Sequence, residues 1–192
     1  MSRFLLSFLL LFSSLQFQVH AQVPAQAGVL SEKIHQAALA ALDPQNLRKD
    51  TSPHTLYGQP INTKDLAYGW LACARVVSAV LKVTGIKIPR YDSRGKETAG
   101  VAMAVYEVEK KLSSLGWQVI RKEADLRNGD VIVWRSKSNS NKGYFCSGNG
   151  NCHIGIVTAN GAFNNHILWG SPAFTKVNLG EGYPFKVGFR AP

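Results

Sequence analysis

The run from His153 to Leu168, HIGIVTANGAFNNHIL, constrains the fold of this chain more than any other stretch. His153 to Thr158 encloses a glycine and apolar residues, Ala159-Asn160-Gly161 is a turn signal, and Ala162 to Leu168 supplies a partner. That pattern predicts an antiparallel hairpin. Upstream, Leu126-Arg127-Asn128-Gly129-Asp130 reads as a turn and Val131-Ile132-Val133-Trp134 as a buried strand. Trp117 to Arg121 reads as another strand, and Val177 and Phe185–Phe189 supply one or two more.

The first half of the chain has helical periodicity instead. Ser31 can cap the run SEKIHQAALAALDP, whose Ile34, Ala38 and Leu42 share a face before Asp43-Pro44 ends it. Residues 22–28 ahead of it read as a disordered leader, and the proline-interrupted segment 45–64 as irregular chain wrapped over the core. Residues 65–84 are apolar enough for a buried helix, which begins near Leu71 or Ala72 and stops at Gly85. A further helix is expected from Thr98 or Ala99 to Ser114, with Val101, Val105, Val108 and Leu112 as its stripe and Gly116 as its cap. Helices first and strands second predict an α+β fold, N-terminal helices packed on a central antiparallel β-sheet.

Residues 1–21 stand apart. Arg3, the apolar run Phe4–Phe12 and Val19-His20-Ala21 form the three-part pattern of a signal peptide. The apolar run is too short to span a bilayer, so no stable membrane insertion is expected once it is removed. Residues 22–192 then form one domain without internal repeats, secreted or periplasmic, with about +9 of the formal +10 charge. Such a basic surface suits anionic wall or envelope polymers, or simply solubility. No aromatic-and-basic motif for nucleic acid is present. Of the three cysteines, Cys146 and Cys152 bracket the flexible loop SGNGN and are expected to pair in an oxidising compartment. Cys73 is left as a free thiol.

A cysteine near the start of a buried helix meets unpaired N–H groups and the positive end of the helix dipole, both of which favour a thiolate. An imidazole can activate such a sulfur, and a third polar group usually fixes the ring. His153 opens a core strand onto which that helix can pack. Across the hairpin, Asn165 is the first choice for the orienting group by register, with Asn164 and His166 behind it. Tyr68 and Trp70 before the helix, and Tyr144 beside Phe145, are candidates for a substrate groove or for packing. Asp130 before its strand reads as a turn stabiliser, and His35 and His54 as surface residues. Cys146, Cys152 and His153 match no zinc spacing, so no metal and no cofactor are expected.

Taken together, ACARVVSAVL, LRNGDVIVW and CHIGIVTANG resemble the catalytic core of the NlpC/P60-like cysteine peptidases, with a likeness to the related CHAP amidases, over roughly residues 66–170. The resemblance implies a papain-like fold, Cys73 as nucleophile, His153 as general base, Asn165 or a neighbour as orienting group, and the Cys73 N–H in an oxyanion hole. It also implies amide bonds of peptidoglycan stem peptides as substrate. The chain departs from that pattern in having Ala72-Cys73-Ala74 where the family commonly has Asp-Cys-Ser, and asparagine where it commonly has a third-position histidine. The expectation is a cysteine hydrolase acting through a thioester, for remodelling its own wall or attacking another. The rival is a non-catalytic envelope-binding domain on the same scaffold. The residues carry no signature of a protein inhibitor.

Overall fold

Val131-Ile132-Val133-Trp134 has no polar side to turn to water, and all four residues are fully buried. A strand apolar on both faces belongs inside a sheet with both faces covered. The computed structural model describes residues 25–64, 72–92, 94–102, 104–135, 152–166 and 170–192. Its elements are α1 (Ala25–Ala40), β1 (Leu47–Arg48), β2 (Thr55–Leu56), β3 (Gln59–Pro60), α2 (Cys73–Val83), β4 (Pro89–Tyr91), β5 (Glu97–Val101), α3 (Val105–Ser114), β6 (Gln118–Ile120), β7 (Val131–Arg135), β8 (Cys152–Thr158), β9 (Gly161–His166), β10 (Ser171–Thr175) and β11 (Phe185–Arg190). The six strands β10-β9-β8-β7-β11-β6 make one antiparallel sheet with β7 and β8 inside it, so the α+β layout is present.

The pleat of β8 sorts its side chains. Ile154 and Ile156 enter the larger core with Val131, Val133, Phe163 and the apolar faces of α1, α2 and α3. Val157 joins Ile132, Trp134 and Ala162 on the other face, beneath Val177, Leu179, Tyr183 and Phe185. The Trp134 indole N–H donates to the Val177 carbonyl at 2.8 Å, anchoring that cover. Gly155 faces the same way, and a Cβ there would lie 3.0 Å from the Trp134 ring and 2.9 Å from the Phe163 carbonyl oxygen. α2 contributes the buried residues Ala74, Val76, Val77, Ala79, Val80 and Leu81; each valine or leucine so buried is worth about 1.5–3 kcal/mol.

Several boundaries differ from expectation, each for a local reason. α1 starts at Ala25, six residues before Ser31, so the expected leader is helical from there on and Ser31 is interior. Alanine and glutamine extend a helix readily. The stretch expected to begin the last helix is instead β5, paired with β4, and α3 starts at Val105. The Glu107 carboxylate sets that start, accepting N–H bonds from Ala104 at 2.9 Å and from Tyr91 at 3.0 Å. The segment read as irregular contains the small sheet β1-β2-β3. β10 falls before Val177 rather than on it. The hairpin turn is tighter than expected, since Thr158 pairs with Gly161. Gly161 has φ 104°, and a Cβ would lie 2.2 Å from the Thr175 carbonyl oxygen.

Asp130 does stabilise its turn, accepting the Arg127 N–H at 2.8 Å. It also receives a bidentate pair from Arg190, at 3.0 and 2.7 Å, which ties β7 to β11. His35 is not a surface residue: it is 7% exposed, and its Nε2 accepts the Ala159 N–H at 3.3 Å, tying α1 to the hairpin. His54 is half-buried. Among the described residues no helix is long and apolar enough to cross a membrane.

Candidate active site

Cys73 is the first residue of α2, with Ala72 as its cap residue and no capping side chain. Its thiol is free and half-buried. The backbone N–H groups of Ala74, Ile154 and Cys73 itself act to lower its pKa. Burial nevertheless dominates these three donors and pushes the thiol up to about 11.

His153 sits one residue into β8 and is 5% exposed. It lies opposite Trp134, with the rings stacked at 5.6 Å and 28°, and the Tyr183 ring meets it edge-on at 6.4 Å. Its Nε2 is 3.1 Å from Asn164 Oδ1. The Asn164 amide nitrogen donates to Thr175 Oγ1 at 2.6 Å and to the Ala162 carbonyl at 3.0 Å, which fixes which end faces the ring. Oδ1 is thus the acceptor, Nε2 carries the proton, and Nδ1, the nitrogen nearer the main chain, keeps its lone pair. Burial lowers the imidazole to about 4, with the Asn164 bond opposing and His166 adding to the fall. At neutral pH the ring is an uncharged base.

The asparagine on the His153 ring is Asn164, not the expected Asn165. β8 and β9 pair Gly155 with Asn164 and Ile156 with Phe163. Asn164 therefore shares a face with Gly155 and His153, whereas Asn165 shares one with Phe163. Asn165 is buried on that second side and His166 is half-buried at the strand end. No hydrogen bond joins Cys73 to His153 among the described residues: Cys73 packs with Ile154 and Ile156 on the α2 side of the sheet, whereas His153 lies on the other face with Trp134, Gly155 and Asn164, so the expected pair is not brought together. Burial raises the thiol and lowers the imidazole, and both shifts favour a resting thiol and neutral imidazole over thiolate and imidazolium.

Tyr68, Trp70, Tyr144 and Cys146 lie outside the described residues. Cys152 is half-buried at the start of β8 and disulfide-bonded. Among the described residues no group of three His, Cys, Asp or Glu side chains is arranged to hold a metal ion. Trp134, Tyr183 and Thr175 were not foreseen as parts of the site. Trp134 stands directly across from His153 once the sheet register is known, but Tyr183 and Thr175 come from later loops and strands with no motif of their own. No family model matches this chain, and no curated protein or solved structure matches it either.

Proposed function

We propose that this chain is a secreted or periplasmic cysteine hydrolase that cleaves amide bonds in peptidoglycan stem peptides, with an NlpC/P60-like papain-type catalytic domain. One observation carries the reading. A free thiol stands at a helix N-terminus packed over β8, and on the opposite face of the same strand His153 is held by Asn164 with its Nδ1 lone pair unprotonated, so the reaction requires the imidazole to turn to the α2 side. In the proposed reaction the imidazole turns to the α2 side of β8, Sγ attacks the scissile carbonyl carbon, and the thiol proton passes to Nδ1. The N–H groups of Cys73 and Ala74 then face the oxyanion. Nδ1 returns the proton to the leaving amine as the C–N bond breaks, leaving a thioester on Cys73. Water, deprotonated by the same nitrogen, releases the acid. The expected Cys146–Cys152 bridge would brace the loop that leads into His153.

A second reading has its own support. The missing Cys73–His153 hydrogen bond and the raised thiol suit an inert, buried cysteine in an envelope-binding module. Digestion of purified sacculi separates the two, with released fragments identified by mass spectrometry. The hydrolase releases stem-peptide fragments, and Cys73→Ser and His153→Ala abolish release. Binding to sacculi with no fragments from the unaltered protein would overturn the hydrolase reading.

A further inference from the structure

We propose that the open cleft between the end of α1, β1 and β10 holds the part of a peptide substrate that flanks the bond Cys73 attacks, taking its apolar side chains and one carboxylate, an assignment that rests on the hydrolase reading. The cleft has a volume of about 940 Å³, in the range of pockets that hold small ligands. Leu42, Pro44, Leu47 and Pro172 give it an apolar lining, and Arg48, Lys49 and Asp50 are its charged residues.

Strand register places this cleft beside the thiol. Pro172 of β10 pairs with Asn165 of β9, and the β8–β9 ladder, with Gly155 opposite Asn164, brings Asn165 beside Ile154. Cross-strand partners share a face. Pro172 therefore lies on the face of Ile154 and Phe163, the one on which Cys73 and α2 pack, and Phe174 two residues on enters that same core. Two strand steps separate Pro172 from Ile154, roughly 10 Å at the usual spacing. About three residues of extended peptide cover that distance. Ser171 and His166 stand opposite each other at the end of the sheet where Cys152 opens β8, so cleft and thiol share an end as well as a face.

The lining selects among occupants. Among the described residues it carries no aromatic ring on which a sugar could stack, and its apolar side chains would leave sugar hydroxyls without partners. Apolar peptide side chains are instead stabilised there by burial. Arg48 and Asp50 neutralise each other at 2.9 Å. Lys49 is exposed and makes no hydrogen bond or ion pair among the described residues, so one cation at the cleft is left for one carboxylate.

N-acetyl-Leu-Leu with a free carboxylate, titrated into the full chain and followed by amide NMR, tests the cleft without turnover. The corresponding dipeptide amide and the tetramer of N-acetylglucosamine serve as controls. The acid should saturably shift the amides of Leu47, Lys49 and Ala173, and the sugar should leave them unmoved. The dipeptide amide should bind about fivefold more weakly, the contribution of one exposed charge pair. Lys49→Gln, at an exposed position, should bind acid and amide alike, and on a stem-peptide substrate should raise KM about fivefold with kcat unchanged. No saturable shift, equal binding of acid and amide by the unaltered chain, binding of the sugar at these amides, or an unchanged KM in an active Lys49→Gln protein would each overturn the proposal. Saturable binding of the acid at these amides with no turnover of any stem peptide would support the cleft as a peptide site and count against the hydrolase reading alone.

Discussion

Protonation of His153 should unfold this protein from the inside. The imidazole is 5% exposed and lowered to about 4, against about 6.5 for a histidine in the unfolded chain. Because the folded value is the lower one, the unfolded state binds the proton more readily. The resulting stability is fully present above pH 6.5 and is lost as pH falls from about 6.5 towards 4. The gap corresponds to roughly 3 kcal/mol, at no more than about 1.4 kcal/mol per pH unit. The physical cause is that a charged ring between Trp134 and Tyr183 loses water, and the single Asn164 carbonyl oxygen on Nε2 does not replace it. Urea unfolding followed at pH 7.5, 6, 5 and 4 gives the slope. The same series on His153→Gln removes the titrating group while leaving an amide that can still donate to Asn164. The difference between the two series isolates His153 from His35, His54, His166 and the carboxylates. A folded-state titration of the His153 ring near pH 6.5 by NMR, or identical slopes in the two proteins, would refute this reasoning.

Two further outcomes follow from named contacts. Asp130→Ala should cost about 3–5 kcal/mol, read as a lower urea midpoint, because it strands the Arg190 guanidinium and the Arg127 N–H; a loss below 1 kcal/mol would mean the pair is solvated. Asn164→Ala should lower kcat on a stem-peptide substrate about 10–100-fold with little change in KM, whereas Asn165→Ala should act through stability alone.

The sheet was legible because its strands are consecutive in sequence and locally punctuated. The apolar run 131–134, the Asn160-Gly161 turn and the period-two alternation around Ile154 and Ile156 each act over a few residues. The free thiol, the histidine and an asparagine partner for its ring were legible for the same reason. The choice between Asn164 and Asn165 was not, because one residue of turn length reverses which face a side chain takes. The start of α3 also escaped, because Glu107 reaches back to Ala104 and across to Tyr91, and the latter contact exists only in the folded chain. His35 looked like a polar helix residue, yet its ring accepts an N–H 124 positions away. Long-range contacts of that sort leave no periodic trace.

The central claim is that the Cys73 sulfur becomes acylated with His153 as its base. Rapid acid quenching of the protein with a stem-peptide substrate, followed by intact-protein and peptide mass spectrometry, tests it most directly. The account predicts a mass increase equal to the acyl half of the substrate, located on Cys73, missing in Cys73→Ser and strongly reduced in His153→Ala. Substrate cleavage that continues in Cys73→Ser, or turnover by the unaltered protein through an adduct on any other residue, would contradict it.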